Sequence, residues 1–221
     1  MSRLRLTAFL GLGLALILGG CQAPDEDAAQ PTTDTAQDAQ PTSEMASSSA
    51  SASEDKLASH KAASQAAIKA FAGQLKQALG KAMKEGGPPK AIAVCNDVAP
   101  EIMQEVAAAK NLQIARTSLK VRNQDNAPDD WEHSVLKQFE DQAAAGEPIK
   151  QLEVAEVVSK EGQQFYRYMK AIPTQEVCLA CHGQDIAPEI KQKLDKFYPN
   201  DQARGYEKGD VRGAFTVVMP M

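Results

Sequence analysis

The sequence predicts an α+β domain in which helices come first and antiparallel strands follow. Apolar residues recur at three- and four-residue steps up to about residue 110, whereas most of the chain after about residue 150 alternates as strands do. Helices and strands that are separated in this way are typical of α+β domains. Residues 54–221 provide enough chain for one such domain with its own core.

Three helices are predicted in the first part of the domain. The first is amphipathic and ends at Gly86-Gly87-Pro88-Pro89, because glycine and proline together interrupt a helix. The second follows directly, and Pro100 is expected to kink or restart it. The third lies within residues 126–148, with Pro128 in its first turn and Gly146 just past its end.

The strands are predicted mainly in the second part. A short strand is expected over Leu112–Ser118, before the third helix. Later strands form a hairpin that turns around Lys160-Glu161-Gly162, and a last strand covers residues 211–217. A short helix is expected around Ala187 to Phe197.

The N-terminus predicts export and lipid attachment. Met1–Arg5 is basic, Leu6–Ile17 is apolar, and Leu18-Gly19-Gly20-Cys21 places small residues before a cysteine. The apolar run is shorter than the ~20 residues that cross a bilayer. The pattern resembles a bacterial lipoprotein signal, so we expect residues 1–20 to be removed and Cys21 to be acylated. The protein would then be anchored to a membrane and face the periplasm.

A disordered acidic tether is expected at residues 21–53, between the lipid and the domain at 54–221. Gln22–Ser53 consists mainly of Ala, Ser, Thr, Gln and Pro with six acids, contains no Lys or Arg, and has almost no residue able to form a core. Without residues 1–20 the chain has 22 basic and 29 acidic residues. Nucleic acid is therefore not an expected partner.

The stretch "EVCLACHG" contains a C-x-x-C-H pattern, in which Cys178 and Cys181 lie three residues apart and His182 follows directly. This pattern is typical of c-type haem attachment. Two thiols add to the two vinyl groups of one porphyrin, and the adjacent imidazole binds the iron. We expect one haem c, held in a loop that follows Pro173.

Two alternatives stay open for the same cysteines. A redox dithiol would need a helix to begin at the motif, whereas Gly183 and the polar Gln184-Asp185 favour a loop. A zinc site would need a fourth ligand, for which the candidates are Cys95, His60 and His133.

The ligand on the other side of the iron is not determined by the motif. Cys95 lies on the apolar stripe of the second helix, where an unpaired thiol in an exported protein needs an explanation. The alternative for Cys95 is an inert buried cysteine. We expect His60 and His133 to be solvated surface histidines. Methionines on apolar faces are more often packing residues, and the candidates of this kind are Met83, Met103, Met169 and Met219.

Four segments, "AIAVCNDVAPEI", "RTSLKVRNQDNAPDDWE", "FYRYMKAIPTQEVCLACHG" and "DQARGYEKGDVRGAF", resemble a family of periplasmic single-haem c-type domains. Members occur alone or as input domains of bacterial signalling proteins. The resemblance covers about residues 91–218 in the same order. It implies a PAS-like fold, with helices packed on an antiparallel sheet, and a haem iron bound by the motif histidine, here His182, and by a cysteine, here Cys95.

Four arginines in these segments are candidates for contacts to the haem propionates, because guanidinium groups pair with carboxylates in a bidentate geometry. Ordinary surface salt bridging is the alternative for each of them. These residues are Arg116, Arg122, Arg204 and Arg212.

The function expected from these features is one-electron transfer with an unidentified redox partner protein. The alternative is a redox or diatomic-gas sensor, in which the weaker iron ligand is displaced and a bistable packing shifts. A peroxidase-like enzyme is disfavoured, because a sixth ligand would occupy the reaction position and no distal histidine motif is evident. Since the sequence shows no kinase, second domain or spanning helix, a sensor would have to signal to a separate partner.

Overall fold

The structure is a computed structural model that describes the backbone of residues 43–221 and the side chains from residue 52 onward. The predicted signal peptide, Cys21 and most of the predicted tether lie outside the described residues. The described residues, 43–221, lie within one compact unit. Within residues 43–221, no helix has both the length and the apolar character that crossing a bilayer requires.

Helices and strands follow one another largely in the predicted order. The α-helices are α1 (Ser43–Ala93), α2 (Ala99–Lys110), α3 (Asp130–Ala144), α4 (Glu176–His182) and α5 (Pro188–Phe197). The strands are β1 (Gln113–Thr117), β2 (Glu153–Lys160), β3 (Gln163–Pro173) and β4 (Val211–Pro220). A π-helical turn and two short 3-10 turns occupy Val94–Val98, Gln124–Asn126 and Ile149–Gln151.

The N-terminal helices contain the predicted breaks. Inside α1, Gly86 (φ −164°, ψ 16°) and Gly87 (φ 65°, ψ −162°) leave the helical conformation, as expected for a Gly-Gly pair ahead of two prolines. Pro100 lies in the first turn of α2, so it restarts a helix after the π-helical turn. The start of α1 at Ser43 falls inside the segment 21–53 predicted as a tether.

The start of α3 differs from the prediction. Pro128 lies before the helix instead of in its first turn, because Asp129 is the N-cap. The Asp129 carboxylate accepts a hydrogen bond from the backbone N–H of Glu132 at 2.8 Å, and the Glu132 carboxylate accepts one from the backbone N–H of Asp129 at 3.1 Å. This reciprocal capping box satisfies backbone donors that a helix start leaves unpaired. Gly146 follows the helix with a positive φ of 92°, as predicted.

The four strands form one antiparallel sheet in the order β1-β4-β3-β2. The β2–β3 hairpin pairs Lys160 with Gln163, and the two turn residues, Glu161 and Gly162, both have positive φ (53° and 78°). This is the backbone of a tight two-residue hairpin turn, whose twist matches that of the strands. The predicted hairpin is therefore confirmed.

Helices cover both faces of the sheet. On one face, α1 and α2 bury an apolar cluster that includes Phe71, Ile102 and Tyr168, and on the other face α3 buries a cluster that includes Phe139 and Met169. Adjacent residues of a strand point to opposite faces, which is why Tyr168 and Met169 are both 0% exposed. The predicted α+β, PAS-like class, with helices on an antiparallel sheet, is confirmed.

The connection between β3 and β4 contains the C-x-x-C-H motif. The motif was expected in a loop, but it occupies the short helix α4. The helix ends at Gly183, where a Cβ would lie 2.6 Å from the carbonyl oxygen of Leu179. The predicted short helix around Ala187 to Phe197 is confirmed as α5, which packs through Leu194 against Ile92.

Candidate functional site

Helix α4 presents the two motif cysteines on one side. Cys181 lies three positions after Cys178, a spacing that brings side chains onto the same helix face. Both are half-buried, and neither forms a disulfide. The backbone N–H of Gln175 donates to Sγ of Cys178 at 3.4 Å. The structure thus holds two free thiols side by side at the edge of the domain core.

His182 is arranged as a metal-binding histidine. Burial, with help from the guanidinium groups of Arg212 and Arg122, holds the pKa of His182 well below its ordinary value, so the ring is neutral. Nδ1 lies 2.8 Å from the carbonyl oxygen of Ala203. A carbonyl only accepts, so the proton is on Nδ1 and the lone pair is on Nε2. Histidine ligands of metals are commonly oriented by such a hydrogen bond.

The segment after α5 fixes the histidine ring. The backbone N–H of Tyr206 donates to the carbonyl of His182, and the N–H of Gly205 donates to that of Gly183, both at 3.0 Å. The Tyr206 ring meets the His182 ring edge-on, with centroids 6.3 Å apart and an interplanar angle of 85°. The Tyr206 hydroxyl is hydrogen-bonded to Oγ of Ser118 at 3.2 Å.

Cys95 belongs to the same region. It lies in the π-helical turn between α1 and α2 and is half-buried. Burial raises the pKa of its thiol, whereas three nearby guanidinium groups, those of Arg116, Arg122 and Arg212, act in the opposite direction. Cys95 in turn contributes to raising the pKa of Cys181, so the two sulfurs are close enough to interact electrostatically.

Arg116 and Arg212 are buried cations without a carboxylate partner among the described residues. The guanidinium of Arg116 lies over the Phe71 ring at 5.4 Å. That of Arg212 lies over the Tyr206 ring at 5.1 Å and donates to Oγ of Ser118 at 3.1 Å, but its buried Nε has no acceptor. Burial lowers the pKa of both guanidinium groups. An unpaired buried charge is costly, so this region suits an anion.

Arg122 and Arg204 show the salt bridging that the sequence left open. Nε of Arg122 lies 3.1 Å from Oδ1 of Asp201, and Nε of Arg204 lies 2.9 Å from Oδ2 of the same carboxylate. Arg204 also pairs with Asp195. Burial alone would raise the pKa of Asp201, but the hydrogen bonds from the two arginines bring it below its ordinary value.

The two remaining histidines differ from each other. His133 is exposed, as expected. His60 is partly exposed: its ring packs against Tyr166 at 5.3 Å, and Nδ1 lies 2.8 Å from the carbonyl oxygen of Lys56 in an exposed hydrogen bond. Tyr166 is near the hairpin end of β3, and the motif follows the opposite end.

The two alternatives for the cysteines fare differently. A zinc site needs a group of three or four protein ligands, and the residues that the structure describes contain no group of three or more His, Cys, Asp or Glu side chains placed to hold a metal ion. The objection to a redox dithiol rested on a loop at the motif, and α4 removes it. The orientation of His182 favours a haem site over a dithiol, since a redox dithiol does not need a neutral imidazole whose Nε2 lone pair is available to a metal.

Sequence reasoning missed Asp201, Ala203 and Tyr206 as parts of the site. Ala203 acts through its backbone carbonyl, which has no signature in the sequence. Asp201 and Tyr206 lie within the segment "DQARGYEKGDVRGAF", but their partners Arg122 and Ser118 are distant along the chain.

The fold and the site define an α+β domain in which a C-x-x-C-H helix, a further cysteine and two arginines that have no carboxylate partner among the described residues lie at one end of the sheet. The sequence matches the model of the Tll0287-like family over residues 30–220, and the chain belongs to this family. The predicted family resemblance is thereby confirmed.

A solved relative supports the same assignment. The crystal structure of the cyanobacterial heme-protein Tll0287 is 26% identical in sequence and superposes with a TM-score of 0.53. The match covers 76% of this chain and 96% of that one. Among curated proteins, none matches the chain.

Proposed function

We propose that this protein binds one haem c covalently and acts as a one-electron carrier anchored to a bacterial membrane. The related protein Tll0287 is described as a heme-protein, and the motif of this chain adds the two thiols that covalent attachment needs. A bound haem supplies a reversible one-electron step between ferric and ferrous iron.

The observation that best supports a haem is the pair of unpaired arginines. Arg116 and Arg212 act electrostatically on both His182 and Cys95, so both candidate iron ligands lie within the electrostatic range of the two cations. A haem has two propionate carboxylates, which would neutralise two buried guanidinium groups. A dithiol or a zinc site supplies no pair of carboxylates for these two cations.

Each residue has a definite role in this proposal. Cys178 and Cys181 form the two thioethers, and Nε2 of His182 binds the iron while Ala203 holds the ring. Cys95 would supply the second iron ligand: burial raises the pKa of its thiol, and the guanidinium groups near it act in the opposite direction.

The location and partners are also part of the proposal. Acylation at Cys21, after removal of residues 1–20, would anchor the protein to a membrane facing the periplasm, and residues 21–53 would form the tether. The partner is a redox protein of unidentified kind. The acidic balance of 22 basic against 29 acidic residues in residues 21–221 disfavours nucleic acid.

Visible spectra of the purified full chain test the haem assignment. We expect one haem per chain that remains attached after denaturation and shows distinct oxidised and reduced spectra. The double variant Cys178→Ala, Cys181→Ala should lose denaturation-resistant haem. Recovery of stoichiometric, denaturation-resistant haem in that variant would contradict the proposal. An absence of haem in wild-type protein produced with a cytochrome c maturation system would also contradict it.

Sensing is a second candidate function, and the π-helical turn that contains Cys95 favours it. Such turns insert one residue into a helix and are frequent at functional sites, so loss of an iron ligand there could be relayed to α2. Adding carbon monoxide to the reduced wild-type protein distinguishes the two functions. A shifted Soret band would support a sensor with a displaceable ligand, and an unchanged spectrum would support the carrier.

A further inference from the structure

We propose that Arg122 is a positioning residue for His182: through the carbonyl of Ala203 it fixes the imidazole direction and limits electron donation to the iron. This inference rests on the proposed haem function. It assigns to Arg122 a role different from a propionate contact.

Arg122 contacts His182 and its surroundings at three points. Nη1 lies 3.5 Å from Nε2 of His182, a contact that iron binding at Nε2 would replace. The other two contacts leave Nε2 free for the iron. The carbonyl oxygen of Ala203 accepts both the Nδ1 proton of His182, at 2.8 Å, and a hydrogen bond from Nη2 of Arg122, at 3.1 Å. The same Nη2 donates to the backbone carbonyl of Cys181, the residue before the histidine. One guanidinium therefore ties the backbone that precedes His182 to the backbone that orients its ring.

Asp201 completes the arrangement. Its Oδ1 accepts from Nε of Arg122 at 3.1 Å and from the backbone N–H of Ala203 at 2.9 Å. The side chains of Arg122 and Asp201 are only 10% and 1% exposed. The three residues thus form a closed, buried ring of hydrogen bonds. The planar guanidinium of an arginine can donate to both acceptors of this ring at once, and a lysine ammonium does not reproduce that geometry.

The charge on Arg122 changes the chemistry of the shared carbonyl. A hydrogen bond from Nδ1–H to an acceptor increases the basicity of the imidazole as a ligand. Because the Ala203 oxygen also accepts from a cation, it attracts the Nδ1 proton less strongly. The imidazole is then a weaker donor, and a weaker donor stabilises ferric iron less. Arg122 should consequently raise the reduction potential.

The test compares Arg122→Gln with Arg204→Gln in the full-length protein. Both substitutions remove one positive charge and one partner of Asp201, but Arg204 makes no side-chain contact with Ala203 or Cys181 among its hydrogen bonds in the described structure. We expect Arg122→Gln to shift the ferric–ferrous equilibrium about tenfold toward ferric, which is about 59 mV for one electron. The iron–histidine Raman band, measured for both variants in a ferrous Cys95→Ser background that removes the proposed second ligand, should move to higher frequency in Arg122→Gln. Arg204→Gln should leave that band in place and shift the potential much less.

The outcomes separate the inference from the proposed function. If wild-type protein has no covalent haem, the proposed function fails. If haem is present but both variants shift the potential equally with unmoved Raman bands, Arg122 acts only as a distant charge, and the inference is overturned. Unchanged potential and band in Arg122→Gln would also overturn it.

Two further measurements guard against a folding defect. Arg122→Lys keeps the charge but not the planar guanidinium, so this variant should fold like the wild type, and its Raman band should lie between those of the wild type and Arg122→Gln. A band at the wild-type frequency would show that the hydrogen-bond geometry of the guanidinium has no effect. In haem-free protein, the ¹⁵N shifts of His182 should report the Nδ1–H form. The Nδ1–H proton resonance should move downfield in Arg122→Gln, because the Ala203 oxygen then attracts that proton more strongly, and it should stay in place in Arg204→Gln. Equal proton shifts in the two variants would contradict the positioning role.

Discussion

A Cβ atom on Gly213 would lie 2.3 Å from the carbonyl oxygen of Thr117, inside any permitted contact distance. Gly213 is in β4 and has a φ of 150°, and Thr117 is in the neighbouring strand β1. The residues beside them in sequence are Arg212 and Arg116. The close approach of two backbones, which only glycine allows, therefore lies next to both unpaired cations of the site.

Gly213→Ala should destabilise the protein, because either the β1–β4 contact or the backbone conformation must change. Strain at such positions costs about 1–3 kcal/mol, measurable as a lower midpoint in denaturant unfolding. Gly73→Ala is the matched control. Gly73 is helical and nothing lies within 4 Å of an added Cβ, so the same change should stabilise by about 0.5–1 kcal/mol. Equal effects at both positions would contradict the steric explanation.

Glu153 should make stability depend on pH. Burial alone would raise its pKa, but hydrogen bonds from Lys61, Tyr168 and Lys170 lower it from 4.5 to about 2. A lowered folded-state pKa contributes stability that is fully present above the unfolded value of 4.5 and is lost as the pH falls through about 2.

Glu153→Gln tests this dependence. The gap in unfolding midpoint between wild type and variant should be constant from neutral pH down to about 5 and should shrink between about 4.5 and 2. A gap that stays constant over this range would show that the loss comes from the hydrogen-bond geometry and not from the charge of Glu153.

Arg116 should destabilise the haem-free protein. Its buried guanidinium has no carboxylate partner in the part of the chain that the structure describes. Replacing even a buried ion pair by apolar groups of similar volume is often neutral or stabilising by about 1–4 kcal/mol, and an unpaired charge has no attraction to lose. We expect Arg116→Met to raise the unfolding midpoint of haem-free protein while lowering the potential of the haem-bound form, since a propionate would lose its counterion. A destabilised haem-free variant would show that Arg116 already has a satisfied structural role.

Local features were predictable from residue type, whereas long-range contacts were not. The break at Gly86-Gly87 and the turn at Glu161-Gly162 depend on backbone conformations that glycine permits, so the sequence alone indicates them. The helix at the motif was missed because polar residues after Gly183 suggested a loop. The hydrogen bonds that orient His182 were also missed. Asp201 is 79 residues from Arg122 along the chain, and a backbone carbonyl such as that of Ala203 has no signature in the sequence.

Cys21→Ala tests the proposed anchor. Without its acylated cysteine the protein should be released from membranes or remain unprocessed, because a thioether-linked lipid can form only on a thiol. Membrane fractionation and mass spectrometry of the mature N-terminus measure the result. A wild-type N-terminus that has no lipid would refute the anchor, and it would leave the haem proposal intact because Cys21 lies outside the domain at 54–221.

Cys95→Ser tests the proposed iron ligand opposite His182. A thiolate donates electron density and stabilises ferric iron, so its loss should raise the reduction potential. The variant should keep its covalent haem, since both thioether cysteines remain, but the iron should now bind carbon monoxide or imidazole readily.

His133→Ala is a suitable control for Cys95→Ser, because His133 is exposed and far along the chain from the motif. It should leave the ferric spectrum and the potential unchanged. If Cys95→Ser keeps the wild-type ferric spectrum and potential while a methionine substitution alters both, Cys95 is a packing residue. The carrier function would then survive with a different ligand, whereas sensing would lose its main support, because the π-helical turn would no longer be connected to the iron.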